Sequence, residues 1–278
     1  MFEGRKLLIA TKHKKENVIA KHFSKELGIL CHVKKDYDTD VFGTFTGEKE
    51  RVLSPVDTVR NKCLLAMEKY GYDLGLANEG SFGPHPALYF IAADEEFMIF
   101  IDKKLNLEIT VKKLSTNTNF SGRTIKNEED LMNYIDAIHF PSHGIILRKS
   151  IKSNVEIVKD IKTIKNLKNH FNRFIDKYGE VHIETDMRAM NNPTRMKVIE
   201  ETTIKLIEAI KSKCPKCITP GFMPIKYIPG LPCVLCGLPT KSIKIEVLGC
   251  KKCGYEFENI FPNNKKIEDP QYCDYCNP

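Results

Sequence analysis

The sequence predicts an α/β domain with a mixed, partly parallel sheet flanked by helices, followed by a small cysteine-rich domain. Strand-length apolar runs alternate with amphipathic helical segments, some strands follow one another without a helix, and eight of the ten cysteines lie after residue 213. Strands joined without a helix pair antiparallel, which makes the predicted sheet mixed. At 278 residues the chain has room for two domains, which we place at residues 1–212 and 213–278.

The chain opens with a predicted β-α-β unit. Lys6–Thr11 is an apolar run of strand length, and Leu30–Lys34 is a second one. Between them, Lys15–Leu27 repeats apolar residues at helical spacing, and Gly28 ends the helix. The polar segment Asp36–Arg51 that follows is predicted to be a loop.

The next helix begins after Ser54, an N-cap residue that precedes a proline suited to a first turn, and it ends before Gly71. Two further polar segments, Asn78–Pro86 and Ser115–Asn119, are predicted to be loops. The other predicted strands are Asp73–Ala77, Ala87–Ala92, Glu96–Asp102, Leu107–Val111, Gly144–Lys149 and Val181–Glu184, and the other predicted helices are Glu128–Ile138, Asp160–Tyr178 and Pro193–Lys211.

The composition restricts the classes of partner. The net charge of +7 and the pI of about 8.8 fit the binding of nucleic acid or phosphorylated ligands, although the lysines are spread as they are on solvated helix faces. No run approaches the ~18–20 apolar residues of a membrane span, and no signal peptide opens the chain. We therefore expect a cytoplasmic protein without a membrane partner. The sequence predicts no particular oligomeric state.

The late cysteines form four Cys-x-x-Cys knuckles. Two intervening residues let a tight turn direct both sulfurs at one ion, and zinc takes four ligands in a tetrahedron. Gly237 and Gly254 each follow a knuckle, where such a turn needs a positive φ. The pattern predicts two structural Zn²⁺ ions in a double zinc ribbon, with iron binding or redox sensing as the alternative. The predicted ligands are Cys214, Cys217, Cys233, Cys236, Cys250, Cys253, Cys273 and Cys276.

Two pairings of the knuckles are open at this point. Consecutive pairing places the first two knuckles on one ion and the last two on the other, as the ribbon-like segment Cys250–Glu258 favours. Nested pairing joins the two central knuckles around the strand Lys241–Leu248. The sequence leaves the choice open and favours consecutive pairing.

Three predicted loops carry side chains suited to chemistry, and each follows a strand, where α/β sheets bind ligands. They are Thr11–Lys15, Asn78–Pro86 and Glu184–Arg195. The structural alternatives are a solvated basic turn for the first loop, a rigid turn for the second, and for the third a helix start that is capped by Asn192 and contains internal ion pairs. We predict that the three loops converge at one edge of the sheet.

The side chains of these loops suggest roles. Glu79, Glu184 and Asp186 are suited to hold a divalent cation or to act as bases. Arginines bind anions through two nitrogens, and lysines attract phosphates. The anion-binding candidates in the loops are Lys12, Lys15, Arg188 and Arg195, and the other pocket candidates are Thr11, Ser81, His85 and Asn192. Further candidates are Asp38, Thr39, Asp40, Arg123, Ser142 and His143.

Several motifs together resemble a family known only as a domain of unknown function. They are ATKHKKE, DTDVFGTFTGEKER, DLGLANEGSFGPHP, STNTNFSGR, FPSHGIILR, ETDMRAMNNPTRM and the cysteine tail that ends in CDYCNP. The resemblance covers essentially the whole chain and implies no activity.

Residues 7–83 also resemble the start of the inosine/xanthosine triphosphatase superfamily of nucleotide pyrophosphatases. Ala10–Lys15 matches in part the end of the first strand of that group, Ser54–Ala66 matches a helix, and Leu76–Gly80 matches a strand that ends in a glutamate. The resemblance implies that Glu79 holds Mg²⁺. It also implies that phosphates are faced by Lys12, Lys15, Arg60 and Lys62.

The sequence therefore predicts a Mg²⁺-dependent hydrolase of a phosphorylated small molecule, such as a nucleotide, that also binds zinc. One alternative is a non-catalytic nucleic-acid-binding protein that uses its ribbons and the basic segment 150–178. The other is a protein-interaction adaptor. Salt-sensitive binding to DNA or RNA, lost with the tail, would favour the first alternative.

Overall fold

The computed structural model describes residues 1–38, 53–151, 153 and 155–278. Most of the predicted loop Asp36–Arg51, with the candidates Thr39 and Asp40, lies outside the described residues. The chain forms two compact units, Met1–Ile207 and Glu208–Pro278, which we call the N-terminal and C-terminal units. None of the described helices is long and apolar enough to cross a membrane.

A five-stranded mixed sheet is the centre of the N-terminal unit. Its first strand is parallel to both of its neighbours, and the last three strands form an antiparallel meander, which confirms the predicted mixed, partly parallel sheet. The order is β2-β1-β3-β4-β5, with β1 at Lys6–Ala10, β2 at Leu30–Val33, β3 at Leu74–Pro84, β4 at Ala92–Asp102 and β5 at Leu107–Ser115.

Helices cover both faces of this sheet. On one face, α1 (Glu16–Leu27) packs Phe23 against Phe100 of β4, with ring centroids 6.1 Å apart. On the other face, α2 (Pro55–Tyr70) buries Val59, Cys63 and Met67 against apolar side chains of β1, β3 and β4. Successive strand residues point to opposite faces, so the sheet has an apolar layer on each side.

A long helix, α5 (Pro193–Lys211), lies on the same face as α1. Thr203 of α5 is 3.7 Å from the sulfur of Met98 on β4, and Glu200 of α5 contacts His22 of α1 at 2.7 Å. The predicted bounds of this helix are confirmed. Its N-terminus lies near the polar end of β3 and β4, where Arg195 reaches Glu96.

A second, antiparallel sheet belongs to the same unit. Apolar side chains on one face of this sheet, such as Ile183, pack against two helices. Leu131 of one helix and Phe171 and Phe174 of the other belong to the same core. The order is β6-β9-β7-β8, with β6 at Gly122–Ile125, β7 at Ile145–Arg148, β8 at Ile157–Val158 and β9 at Val181–Thr185, and the helices are α3 (Glu128–Ala137) and α4 (Ile164–Tyr178).

The chain between β3 and β4 differs from the prediction. The expected loop Asn78–Pro86 is mostly strand, since β3 runs to Pro84, and the expected strand Ala87–Ala92 is mainly a turn. The glycines and prolines that suggested a loop are accommodated because β3 pairs with β4 along its whole length, through eleven residue pairs. Glu79 and Ser81 therefore lie within a strand.

The C-terminal unit contains a three-stranded antiparallel sheet. The order is β10-β11-β12, with β10 at Met223–Pro229, β11 at Ile243–Gly249 and β12 at Glu256–Ile260. The four cysteine knuckles lie before β10, between β10 and β11, after β11 and near the C-terminus. The unit is the predicted small domain that follows the α/β fold.

Candidate functional site

The eight knuckle cysteines form two groups of four. One group is Cys214, Cys217, Cys250 and Cys253, and the other is Cys233, Cys236, Cys273 and Cys276. Within each group all four sulfurs lie within 4.8 Å of one another. Four thiolates held ~2.3 Å from one zinc ion in a tetrahedron are ~3.8 Å apart, and the contacts here are 3.5 and 3.7 Å in the first group and 3.7 and 3.9 Å in the second. Both groups therefore fit a closed, structural Zn²⁺ site.

The predicted consecutive pairing is wrong, and so is the nested alternative. The first knuckle pairs with the third, and the second pairs with the fourth. The sheet explains this, because Met223 at the start of β10 lies opposite Gly249 at the end of β11, which brings Cys214 to Cys250. At the other end of the sheet, the end of β10 and the end of β12 lead into the remaining two knuckles.

The turns of the knuckles follow the predicted geometry. The N–H of Gly237 donates to the carbonyl of Cys233 at 2.9 Å, and the N–H of Gly254 donates to that of Cys250 at 2.9 Å. Both glycines have positive φ, 73° and 69°. The turn directs both sulfurs of a knuckle to the same side, where one ion can bind them.

A buried polar network lies at the end of the five-stranded sheet. Lys15, just before α1, donates to Asn78 Oδ1 on β3 at 2.7 Å, and Asn78 Nδ2 donates to Glu96 Oε2 on β4 at 2.7 Å. Arg195 of α5 donates from Nε to Glu96 Oε1 at 2.7 Å. All four residues are at most 7% exposed, so the structure joins three distant segments of the chain in one desolvated cluster.

An ion pair lies beside this network on the other face of β3. Lys62 of α2 forms an ion pair with Glu79, and its ammonium also donates to the carbonyl of Asn78 at 3.1 Å. Lys62 is buried and the side chain of Glu79 is 18% exposed. We call the six residues Lys15, Lys62, Asn78, Glu79, Glu96 and Arg195 the sheet-end cluster.

Burial and charge shift the pKa values of three groups of the sheet-end cluster, and against the effect of burial that of Arg195 is raised by Glu96. Burial lowers the pKa of Lys15 to about 7, and Arg195 and Lys62 act in the same direction. Burial acts to raise the pKa of Glu79, but Lys62 and Lys15 outweigh it, so this pKa lies below its usual range. Such shifts are common at functional sites, although structural ion pairs also cause them.

The carboxylates of the third predicted loop are engaged elsewhere. Asp186 is fully buried and accepts from Arg188 Nε at 3.0 Å, from Arg188 Nη2 at 2.6 Å and from Asn191 Nδ2 at 2.8 Å. Glu184 accepts a hydrogen bond from Arg148, a residue of β7, at 2.5 Å. Of this loop, Arg195 is the residue that the structure brings to the sheet-end cluster, where its Nη1 also donates to the carbonyl of Met187.

Other predicted site residues make local contacts. Arg60 pairs with Glu108 at 2.7 Å, Lys12 pairs with Asp38, and the hydroxyl of Thr11 donates to the carbonyl of Lys12 at 3.1 Å. His85 Nδ1 accepts the N–H groups of Ala87 and Leu88 and thereby orders the turn between β3 and β4. Ser81 lies on β3 opposite Glu95, and Asn192 caps α5 by accepting the N–H of Arg195 at 2.9 Å.

Glu96 and Asp94 were not predicted as site residues. Both lie on β4, two residues apart and hence on the same face, and both are completely buried. The signal was present in Asp94-Glu95-Glu96, directly before a run of five apolar residues that predicts a buried strand. Charged residues continuous with such a strand are unusual and indicate a buried polar site.

Three comparisons relate the chain to known proteins. A family model described as "Domain of unknown function (DUF6671)" matches residues 62–278. No curated protein matches the chain. A solved structure, "Crystal structure of protein VC0702 from Vibrio cholerae", is similar at 10% identity and a TM-score of 0.35, covering 73% of this chain and 93% of that one. A similarity of that size supports no functional argument.

Proposed function

The chain belongs to the DUF6671 family, a domain of unknown function, and we propose that the sheet-end cluster binds a phosphorylated small molecule and hydrolyses it with the help of Mg²⁺. A nucleotide is the substrate class that fits the resemblance of residues 7–83. The C-terminal unit, with its two possible zinc sites, has a structural role in this proposal.

The observation that carries the proposal is that Lys15 is buried without an ion-pair partner in the described part of the chain. Its ammonium is buried, with 7% of the residue exposed, and in the described part of the chain it donates to Asn78 but forms no ion pair. A buried lysine without an ion-pair partner is costly to charge, which lowers its pKa, and a bound anion would favour its charged form. The phosphate of a ligand would be such an anion, and the neighbouring Lys62 would share it.

Mg²⁺, when bound, would neutralise phosphate charge and polarise a water for attack. Among the described residues no three carboxylates come close enough to form an oxygen cage, since the groups of three or more ligand atoms are the two cysteine clusters. Mg²⁺ commonly binds through one or two carboxylates together with substrate phosphates. Glu79 is the carboxylate suited to this role, because it is partly exposed beside Lys62.

The remaining residues of the cluster would stabilise the charge of the phosphate or orient the side chains that bind it. Lys15 and Lys62 would hold developing negative charge on the phosphate in a site of low dielectric, where electrostatic stabilisation is strongest. Asn78 positions Lys15, Glu96 holds Asn78, and Arg195 holds Glu96 through the hydrogen bonds described above. Arg195 thus acts on the ligand through Glu96 and Asn78.

The test is a screen of the purified protein against nucleotides and sugar phosphates, with and without Mg²⁺. With a substrate in hand, we expect Glu79→Gln to abolish turnover while the fold is retained, because the amide keeps the shape and removes the charge. The control is Glu180→Gln, which alters an exposed ion pair with Lys126 at 3.4 Å and should leave turnover unchanged. If Glu79→Gln loses activity only in proportion to its loss of folded protein, Glu79 is structural and the proposal fails.

A second candidate function rests on the surface of the first cysteine group. Four lysines around Cys214, Cys217, Cys250 and Cys253 are exposed, namely Lys213, Lys216, Lys251 and Lys252. Such a patch favours binding of nucleic-acid phosphates. This candidate predicts binding to single-stranded DNA or RNA that weakens steeply with salt and is lost when all four lysines are replaced by glutamate. Such binding, with no hydrolysis in any Mg²⁺ assay, would replace the enzyme proposal.

A further inference from the structure

Asp94, near the start of β4, is a buried carboxyl group that the sheet-end cluster does not bind. It is 0% exposed, and neither of its carboxylate oxygens has a hydrogen-bond partner among the residues that the structure describes. An ionised carboxylate in this position would lose its hydration without compensation. The burial therefore requires that either a proton or a cation occupies this group.

The strands around Asp94 offer no charge to balance it. On the same face of the sheet its direct cross-strand neighbours are Phe82 on β3 and Ser115 on β5, which are both neutral. Glu96, two residues along, adds a second negative charge. Lys113 of β5, opposite Glu96, forms its own ion pair with Glu201 of α5 at 3.0 Å.

The two cations that face Asp94 are held by other partners. Arg195 donates to Glu96 and to the carbonyl of Met187, and its guanidinium carbon lies 4.8 Å from the ring centroid of Phe82. Lys15 donates to Asn78. Both cations are close enough to act on Asp94 electrostatically, but neither forms an ion pair with it.

A proton fits this environment better than a metal ion. Arg195 and Lys15 would repel a divalent cation, and both oxygens of Glu96 already accept hydrogen bonds. No third ligand atom from a histidine, cysteine or acidic residue joins the two carboxyl groups within the described chain. A neutral carboxylic acid needs no counter-ion, so protonation removes the larger part of the free-energy cost of burying this group.

We propose that Asp94 sets the charge of the anion site: protonated, it leaves an excess of positive charge that binds the ligand, and ionised, it cancels that excess. With Asp94 neutral and Lys15 protonated, three cations, Lys15, Lys62 and Arg195, stand against the two carboxylates Glu79 and Glu96. The inference rests on the proposed binding of an anion at the sheet-end cluster.

The titration of the cluster supports this role. Burial, assisted by Glu96, raises the pKa of Asp94 to about 8 against the opposing effect of Arg195 and Lys15. The pKa of Lys15 is lowered to about 7. A bound anion favours the protonated form of both groups, so it must bind together with protons once the pH exceeds both values.

The experiment measures the affinity of the full-length protein for inorganic phosphate by calorimetry between about pH 8.5 and 10. Above both pKa values, binding should take up two protons in the wild type, so the affinity should fall about 100-fold for each pH unit. In Asp94→Asn, which is neutral at every pH, the fall should be about 10-fold. Asp136→Asn on the exposed side of α3 is the control and should match the wild type.

A second measurement does not depend on the variant or on phosphate. Infrared spectra of wild-type protein labelled with ¹³C-aspartate should contain the band of a protonated aspartic acid at pH 7 that disappears as the pH rises to about 9. Absence of that band at pH 7 would overturn the proposal, as would an unchanged pH slope in folded Asp94→Asn. Failure of phosphate to bind at any pH would overturn both the charge-setting role and the proposed function, whereas phosphate binding with unchanged slope would leave the proposed function intact.

Discussion

Gly80 lies opposite Glu96, at the place where the guanidinium of Arg195 crosses β3. A Cβ atom at this position would collide with Arg195 Nη2 and would lie 2.8 Å from Glu96 Oε1. The absence of a side chain therefore provides the space in which the buried ion pair forms. Gly83, three residues along the same strand, has no heavy atom within 4 Å of its corresponding Cβ position.

These two glycines give a matched pair of substitutions. We expect Gly80→Ala to lower the free energy of unfolding of the N-terminal unit by roughly 1–3 kcal/mol, because the added methyl group overpacks the site. Gly83→Ala should change it by less than about 0.5 kcal/mol, as surface substitutions usually do. Urea denaturation followed by circular dichroism measures both. Equal effects of the two substitutions would show that Arg195 does not occupy the space above Gly80.

At the scale of single residues, the sequence predicted part of the cluster. Lys15, Glu79 and Arg195 were predicted because they follow apolar strands, and this rule depends only on local pattern. Asp94 was missed because its importance comes from being buried without a hydrogen-bond partner: the apolar run that follows Glu96 indicates the burial, but no pattern in the sequence indicates the missing partner. The ion pair between Asp186 and Arg188 belongs to the structural alternative for the third loop, and the choice between that alternative and a binding site depends on how the loop folds back on itself.

At the scale of elements, the start of α5 was predicted from the sequence, and a tertiary contact adds a second capping hydrogen bond to it. Asn192 was predicted as its cap, and its side chain accepts the N–H of Arg195. The N–H of Thr194 is accepted by His143 Nε2 at 3.3 Å, from the turn before β7. Because Nε2 is an acceptor here, the proton of the neutral ring belongs on Nδ1, which lies 3.0 Å from the hydroxyl of Ser142.

The hydrogen bond from the N–H of Thr194 to His143 acts as a second cap of α5 and should make the free energy of unfolding depend on pH. Burial, assisted by His139, lowers the pKa of His143 below its ordinary value of about 6.5. The neutral ring is therefore favoured in the folded state, and the unfolded state binds the proton more readily. The contribution of the cap should be complete above about pH 6.5 and should be lost as the pH falls from there through the folded pKa.

The measurement compares urea denaturation of the wild type and His143→Gln at pH 7.5 and at pH 5.5. The wild type should lose more stability than the variant on acidification, and at pH 7.5 the variant should be less stable by roughly 1 kcal/mol, a typical value for a helix cap. Histidines elsewhere contribute equally to both proteins, so the difference reports on this ring. A difference between the two proteins that is independent of pH would refute the neutral cap.

β3 extends beyond the end that its own residues predict, because a neighbouring strand pairs with it. Two glycines and two prolines between Asn78 and Pro86 favour a loop by composition, yet β4 supplies pairing partners up to Pro84. Conversely, the bounds of α5 could be predicted because Asn192, Pro193 and the apolar periodicity all lie within the helix or next to it. Elements defined by their own residues are predictable, whereas those completed by a neighbour are not.

At the scale of the whole molecule, the two-part organisation followed from the position of the cysteines, but the pairing of the knuckles did not. Spacing within a knuckle is local, and it predicted all eight ligands. The partner of each knuckle is chosen by the antiparallel register of β10 and β11, which brings the first and third knuckles to one end of the sheet. No pattern of spacing specifies that register.

Metal removal tests the independence of the two units. Metal analysis should give two zinc ions per chain, and chelation should unfold the C-terminal unit, since zinc binding and the folding of such sites are coupled. The helical circular dichroism signal of the N-terminal unit should remain, because its core contains none of the zinc ligands. Loss of both signals at the same chelator concentration would contradict this independence.

The alternating pairing of the knuckles has a consequence for how the ions are loaded. β10 and β11 separate the two knuckles of the first group, and β11 and β12 separate those of the second, so either ion, when it binds, orders a part of the sheet that the other ion also needs. The entropy of ordering therefore opposes the first ion and is largely absent for the second, which binds to a preorganised set of thiolates. During titration with zinc, native mass spectrometry should find chains with no ion or with two, and very few with one. Replacing a single ligand, as in Cys236→Ser, should weaken the binding of zinc at both ends of the sheet.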